Sequence, residues 1–162
     1  MSLEEALAIS PRVRRAIQEG RAVVALESAL ITHGFAYPDN VAITRRMIRA
    51  IEDAGAVPAV VGVWEGMATV GLNDRQMEAL ASSDAAIKVS LRDLPLSSVR
   101  GTYGGTTVAA TAWLAHLAGI RVFATGGIGG IHRGHPEDVS ADLPTLARTP
   151  IVIVCAGAKS IL

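Results

Sequence analysis

The chain has 162 residues, of which 50% are hydrophobic, 19% are charged and 4% are aromatic. This composition excludes intrinsic disorder, which requires low hydrophobicity and a high net charge. Fifteen Lys and Arg residues balance fifteen Asp and Glu residues, so the sequence predicts no nucleic-acid partner and no membrane partner. We therefore expect a single domain over residues 1–162 that acts on a small molecule.

The cysteine content and the chain ends bear on cellular location. Cys155 is the only cysteine, which excludes an internal disulfide and suits a reducing compartment. Acidic residues stand near the N-terminus where a secretory signal has basic ones, and no apolar run reaches the roughly 18 residues that a spanning helix requires. We expect a cytoplasmic protein. Because only a short tail, 156–162, follows the apolar run Ile151–Cys155, we also expect the domain to be incomplete at its C-terminus.

Apolar residues at helical and strand spacing predict alternating helices and strands. The helices are expected at about 11–20, 38–55, 73–81 and 106–117. The strands are expected at about 22–26, 57–64, 68–70, 85–89, 121–125 and 151–155. This alternation predicts an α/β fold with a largely parallel or mixed central sheet and helices on both faces.

Local signals support several of these boundaries. Ser10 followed by Pro11 is typical of a helix start, with the serine as N-cap and the proline in the first turn. Asn73 and Gln76 have the spacing of a capping box at the start of the third predicted helix. The continuous apolar run before Glu27 is typical of a strand buried on both faces, and such a strand presents its polar residues at its C-terminal end.

A glycine-rich stretch, 125–138, follows one predicted strand and is expected to be a long functional loop. Gly126, Gly127, Gly129 and Gly130 suggest backbone amides that approach a phosphate, although a flexible turn explains them equally well. The stretch is not a dinucleotide fingerprint, since His132 stands where a third glycine is required. The tail is not a triphosphate loop either, because its two required glycines are replaced by Ile153 and Ala158.

The same stretch carries four groups that could bind a metal ion: His132, His135, Glu137 and Asp138. Oxygen-rich ligands of this kind suit Mg²⁺ or Mn²⁺ better than a structural zinc. A solvated polar loop is the alternative. Asp142 could belong to this set or could be a first-turn acid of a helix capped by Ser140.

Two lysines and one glutamate are candidates for chemistry at strand ends. Lys159 lies among small residues after an apolar strand, where desolvation lowers the pKa of an amine and makes it a nucleophile toward a sugar carbonyl. Lys88 repeats this setting, and both could instead extend from strand ends into solvent. Glu27 could be a carboxyl group kept protonated by burial and used as a general acid, or it could pair with a nearby cation.

Several segments together resemble the pseudouridine-5'-phosphate glycosidase family, and they follow one another through nearly the whole chain. They are Ala25–Ser28, Ile31–Gly34, Tyr37–Pro38, Lys88–Ser90, Arg92–Pro95, Thr106–Thr111, Phe123–Gly130, His132–Gly134, Ser140–Leu143 and Val154–Ser160. No one of these motifs is decisive, but their number and order make a chance resemblance very improbable.

The resemblance implies cleavage of the C–C glycosidic bond of pseudouridine 5'-phosphate, giving uracil and ribose 5-phosphate, in a homotrimer that uses Mn²⁺. By position, Lys159 resembles the nucleophile that forms a Schiff base with C1' of the opened ribose, and Glu27 resembles the acid that protonates the ring oxygen. The other implied site residues are Lys88 as the second active-site lysine, Asp138 as the metal ligand, and Val108, Ser140, Ala141 and Asp142 as substrate contacts, with Thr125 beside the phosphate.

The sequence departs from this family in three respects. The family is roughly twice as long, so the chain resembles its N-terminal half. The stretch His135–Glu137 looks about two residues shorter than the family's loop, and Leu91 stands where a basic residue is common. Three alternatives therefore stay open: a C-glycosynthase that joins ribose 5-phosphate to an aromatic acceptor, an inactive fragment of the same fold, and a simple Schiff-base aldolase.

Overall fold

The computed structural model describes residues 7–158. The helices are α1 (Pro11–Gln18), α2 (Ala29–His33), α3 (Asp39–Asp53), α4 (Asp74–Ala81), α5 (Leu94–Arg100), α6 (Val108–Leu117) and α7 (Asp142–Leu146). The strands are β1 (Leu7–Ile9), β2 (Val23–Leu26), β3 (Val57–Trp64), β4 (Met67–Val70), β5 (Ile87–Val89), β6 (Gly104–Thr106), β7 (Val122–Thr125), β8 (Ile131–His132), β9 (His135–Val139) and β10 (Val152–Cys155). Within this part of the chain, no helix is long and apolar enough to cross a lipid bilayer.

Eight of the strands form a mixed central sheet. Six of them lie in the order β1-β4-β3-β2-β7-β10, while β6 pairs with β3 and β5 pairs with β6. The pairs of β2 with β3, β2 with β7 and β7 with β10 are parallel, whereas β3 runs antiparallel to β4 and β6. This arrangement confirms the mixed sheet that the sequence predicts.

Helices cover both faces of the sheet, as expected. On one face, α1 and the largely buried α6 pack against β2, β3 and β7, whose Phe123 is 0% exposed. On the other face, α2, α3 and α4 pack against Leu26 and Val60. Because α6 is apolar on all sides, its burial in the core is the outcome expected of such a helix.

Strand β3 exchanges neighbours along one of its edges. Its first half pairs with β2 in parallel, and its second half pairs with β6, which runs in the opposite direction. The C-terminal ends of β2 and β6 therefore meet at Val61, whose carbonyl accepts hydrogen bonds from the hydroxyls of Ser28 (2.5 Å) and Thr106 (2.7 Å). The Ser28 hydroxyl also accepts a hydrogen bond from Thr106 N at 2.9 Å. We call this junction the strand seam.

Replacing Ser28 with alanine will destabilise the fold. The hydroxyl is fully buried and its loss leaves the Thr106 amide without this acceptor, at a cost of about 1–3 kcal/mol in the free energy of unfolding. Urea unfolding measures this cost. The matched control is Ser82→Ala, because Ser82 is an exposed serine at the C-terminal end of α4. Equal unfolding midpoints for the two variants would show that the seam does not depend on this hydroxyl.

Most predicted boundaries are confirmed within two or three residues. Ser10 caps α1 by accepting a hydrogen bond from Val13 N, and Asn73 and Gln76 form a capping box on α4. The hairpin of β3 and β4 turns at Glu65 and Gly66, as expected.

The structure also corrects several expectations. Helices α2 and α5 and strand β6 were not predicted, and Thr106 ends β6 rather than beginning α6. The glycine-rich stretch is not a continuous loop, because β8 and β9 form an antiparallel hairpin inside it. The N-cap of α7 is Ala141 rather than Ser140, whose hydroxyl accepts a hydrogen bond from Asp142 N at 3.2 Å.

Candidate functional site

A cavity of about 700 Å³ opens at the C-terminal ends of β2 and β7. Parallel strands of α/β sheets present their ligand sites at this end. Leu26 of β2 pairs with Ala124 of β7, so the residues that follow, Glu27 and Thr125, lie side by side. The charged and imidazole groups that line the cavity are Glu27, His33, Lys88, Arg92, Asp93, His132, Asp138 and Asp142.

Glu27 is held where β2 leaves the sheet. The hydroxyl of Thr125 donates a short hydrogen bond to Glu27 Oε1. The same hydroxyl accepts a long hydrogen bond, 3.4 Å, from Gly127 N. The carboxylate thus lies at the cavity wall between the end of a buried strand and the start of the glycine-rich stretch.

Lys88 enters the cavity from the other part of the sheet. It lies on β5, which reaches β3 only through β6, so the strand seam brings β5 beside the end of β2. Asp93 fixes the turn that follows β5, because its carboxylate accepts a hydrogen bond of 2.8 Å from Ser90 N. Arg92 stands on that turn with its side chain 89% exposed. This side of the cavity therefore carries two cations.

Asp142 joins two segments of the cavity wall. Its Oδ1 accepts from Ala109 N in the first turn of α6 at 2.9 Å, and its Oδ2 accepts from Gly129 N at 2.8 Å. The carboxylate lies at the N-terminal end of α6, where a negative charge interacts favourably with the helix dipole. The residue is 7% exposed. Both oxygens of this predicted substrate contact are thus engaged with backbone amides.

Gly129 has to be a glycine in this arrangement. A Cβ atom at this position would lie 2.2 Å from Ser140 Oγ and 2.6 Å from Ser140 Cβ. The glycine-rich stretch therefore packs directly on the segment before α7, which the sequence predicts to contact substrate. The close approach explains at least one of its glycines without invoking a phosphate.

The hairpin of β8 and β9 carries the four predicted metal-binding groups, and the structure pairs them two by two. His132 Nδ1 lies 2.7 Å from Asp138 Oδ2, and His135 Nδ1 lies 3.3 Å from Glu137 Oε1. Among residues 7–158, no cluster of three or more His, Cys, Asp or Glu side chains could hold a metal ion. His132 and Asp138 at the cavity edge supply an imidazole and a carboxylate, a donor pair that fits Mn²⁺ only where water or substrate oxygens complete the coordination.

The structure brings most of the predicted site residues to one cavity. Glu27, Lys88, Val108, Asp138, Ser140, Ala141 and Asp142 all line it, and Thr125 contacts Glu27. Lys159 lies outside the described residues. The chain that leads to it runs beside the glycine-rich stretch, since Ile128 N donates to Gly157 O at 3.1 Å and Ile128 forms a parallel bridge with Ala158.

Sequence reasoning from individual residues missed several polar groups that line the cavity: His33, Ser90, Arg92, Asp93 and Thr107. His33 ends α2, and its Nδ1 lies 2.7 Å from the hydroxyl of Thr32. His33 and Arg92 do fall within segments that carry the family resemblance. Their position at the cavity was not predicted because α2 and the turn after β5 were not predicted.

The fold and the cavity define an α/β protein with a polar ligand site at the C-terminal ends of its strands. The family model described as indigoidine synthase A like protein matches residues 12–162. The chain belongs to this family.

Curated relatives carry the name that the sequence resemblance suggests. Pseudouridine-5'-phosphate glycosidase of Saccharopolyspora erythraea is 60% identical over 156 residues, which are 95% of this chain and 52% of the relative. The protein of the same name from Symbiobacterium thermophilum is 52% identical over 162 residues, 96% of this chain and 53% of the relative. The resemblance is confirmed, and the chain spans about half the length of the curated relatives that it matches.

Solved structures share the fold. The prealnumycin C-glycosynthase AlnA in complex with ribulose 5-phosphate superposes with a TM-score of 0.89 at 41% identity, covering 98% of this chain and 52% of that one. An indigoidine synthase A-like protein from Thermotoga maritima superposes with a TM-score of 0.86 at 32% identity, covering 96% of this chain and 51% of that one. At these identities the likeness extends beyond the fold to the sequence.

Proposed function

We propose that the chain carries the lysine-based chemistry of a pseudouridine-5'-phosphate glycosidase. The reaction is the reversible conversion of pseudouridine 5'-phosphate and water to uracil and ribose 5-phosphate. The observation that carries the proposal is the meeting of Glu27, Lys88 and Asp138 at one cavity, beside the segment that leads to Lys159. The shared name of the relatives, at 52–60% identity, supports the same reaction.

A C–C glycosidic bond has no leaving-group oxygen to protonate, so the paired-carboxylate route of O-glycosidases does not apply. In the proposed route, Glu27 gives a proton to the ring oxygen as the ribose opens, and the Lys159 amine bonds to C1'. As the amine bonds to C1', one of its protons passes to the Glu27 carboxylate. The C1'–C5 bond then breaks with its electron pair on C5, which takes the second proton of the Lys159 nitrogen, so that uracil leaves and the Lys159–C1' imine remains. Water hydrolyses that imine, which releases ribose 5-phosphate and restores the amine.

The other cavity residues are proposed to bind and orient the substrate. Lys88 and Arg92 supply positive charge for the phosphate group at one side of the cavity. Val108, Ser140 and Ala141 complete the wall that Asp142 holds in place. The substrate contacts at Lys88, Val108, Ser140, Ala141 and Asp142 come from the family resemblance, whereas the phosphate-binding role of Lys88 and Arg92 rests on their charge and their place at the cavity.

Mn²⁺ is the metal that the resemblance implies. Asp138, with His132 beside it, would hold the ion, and bound Mn²⁺ supplies positive charge that orients and neutralises substrate oxygens. The homotrimer remains a proposal of the same origin, and the cytoplasmic location remains a proposal that rests on the sequence. The single Cys155 supports a reducing compartment.

A second candidate function is C-glycosynthesis, in which the same lysine joins ribose 5-phosphate to an aromatic acceptor. The observation that favours it is the TM-score of 0.89 with a C-glycosynthase bound to a sugar phosphate. The lysine chemistry is common to both reactions, so the nature of the acceptor distinguishes them. The identities favour the glycosidase, at 60% against 41%.

The test is to trap the imine. The protein is incubated with Mn²⁺, ribose 5-phosphate and borohydride, and its intact mass is measured. The chain has only two lysines, Lys88 and Lys159, so peptide mapping assigns the adduct cleanly. We expect one reduced sugar-phosphate adduct on Lys159. No adduct on a protein that retains its fold would contradict the proposal for this chain, and release of uracil from pseudouridine 5'-phosphate would separate the glycosidase from the synthase.

A further inference from the structure

We propose that Thr125 is a positioning residue, whose hydroxyl fixes the carboxylate of Glu27 in the cavity. The family resemblance implies a different role for Thr125, next to the substrate phosphate. This inference rests on the proposed function only for the catalytic role of Glu27. The hydrogen bond between Thr125 and Glu27 can be tested without turnover.

The Thr125 hydroxyl makes two hydrogen bonds in opposite senses. It donates its proton to Glu27 Oε1, and its oxygen accepts from Gly127 N, which is within the capacity of one hydroxyl group. A donated hydrogen bond favours the charged form of a carboxyl group, so Thr125 stabilises the carboxylate that Glu27 becomes when it gives its proton to the ring oxygen in the proposed reaction.

The backbone at Thr125 is well suited to this task. The residue ends β7, whose neighbours on its two sides are β2 and β10, and it pairs with Cys155. A β-branched side chain in such a strand has few accessible rotamers, so its hydroxyl is held in one direction. Functional groups supported by strands are placed more accurately than groups supported by loops.

Other groups also affect the charge of Glu27. Among residues 7–158, the titratable side chains that share the cavity with Glu27 are His33, Lys88, Arg92, Asp93, His132, Asp138 and Asp142. None of them changes when Thr125 is replaced. A comparison among Thr125 variants therefore isolates the contribution of one hydroxyl.

The experiment is a carbon-13 NMR titration of the glutamate carboxyl groups in the parent protein and in Thr125→Val and Thr125→Ser. Glu27→Gln assigns the signal of Glu27. Valine keeps the branched shape and removes the hydroxyl, whereas serine keeps the hydroxyl. We expect the Glu27 midpoint to rise by about one pH unit in Thr125→Val, since hydrogen bonds to charged groups have this strength, and to stay at the parent value in Thr125→Ser.

An unchanged midpoint in Thr125→Val would overturn the inference, and so would a raised midpoint in Thr125→Ser. If Thr125→Val does not fold, Thr125→Ala replaces it in the same comparison. Borohydride trapping at several pH values then connects the hydroxyl to the reaction: we expect the pH dependence of adduct formation to shift in Thr125→Val and to return in Thr125→Ser. If the parent protein forms no adduct, the proposed function fails, and the NMR midpoints still decide the role of Thr125.

Discussion

Replacing Lys159 with alanine is expected to abolish formation of the trapped sugar-phosphate adduct. An imine requires a primary amine, and alanine offers none, so the yield should fall by more than about a thousandfold, the scale on which nucleophile removal acts in covalent enzymes. Lys88 is the only other lysine, and it lies on β5. Intact-mass measurement after borohydride reduction gives the yield directly.

The control for this variant is Lys159→Arg, which keeps the positive charge and removes the primary amine. We expect it to be as inactive in trapping as Lys159→Ala while binding ribose 5-phosphate with similar affinity. Lys88→Ala should show the converse pattern, with weaker sugar-phosphate binding and with its adduct still on Lys159. A full adduct yield from Lys159→Ala would assign the covalent chemistry to another group.

Replacing Asp142 with alanine is expected to produce the largest loss of stability among the cavity residues. The change leaves the amides of Ala109 and Gly129 without their acceptor in a buried region and removes a negative charge from the positive end of α6. Two charge-assisted hydrogen bonds contribute about 1.5–3 kcal/mol each, so the free energy of unfolding should fall by about 3 kcal/mol or more. Denaturant unfolding measures this change.

Asp53→Ala is the matched control, because Asp53 is an exposed aspartate at the end of α3. Its removal should leave stability unchanged within about 0.5 kcal/mol, since an acid at a helix C-terminus is not stabilising. Asp142→Asn should fall between the two, because its amide keeps one acceptor oxygen for two amide donors. If Asp142→Ala unfolds at the same denaturant concentration as Asp53→Ala, the carboxylate does not join α6 to the glycine-rich stretch.

The sequence predicts the parts of the fold whose signals are local. The apolar run at Val57–Trp64 and the caps at Ser10 and Asn73 need no information from elsewhere in the chain, and their elements lie where expected. Strand β6 was missed because Gly104, Gly105 and Thr106 carry no apolar pattern; the first two occupy places where a side chain would collide with Ile87 O or Ser28 O. A long-range fit of this kind leaves no periodic signal in the sequence.

The sequence allows candidate site residues to be named one by one, but not the contacts among them. Resemblance identified Glu27, Lys88 and Asp138, and the structure gathers them at one cavity. The resemblance could not predict that Thr125 donates a hydrogen bond to Glu27. Nor could it predict that both carboxylate oxygens of Asp142 accept from backbone amides. These contacts join residues up to 98 positions apart, and their chemistry depends on geometry that only the folded sheet provides.

The strand seam has a consequence for how the protein can be divided. Ser28 and Thr106 are 78 positions apart, and Glu27 and Lys88 reach the same cavity only because the strands that carry them meet there. A fragment of the chain that ends between Glu27 and Lys88 therefore contains only one side of the cavity. Closing so long a loop costs conformational entropy before any contact at the seam offsets it. The site therefore exists only in the assembled sheet. A single segment of this chain, transplanted into another protein, would not form the ligand cavity.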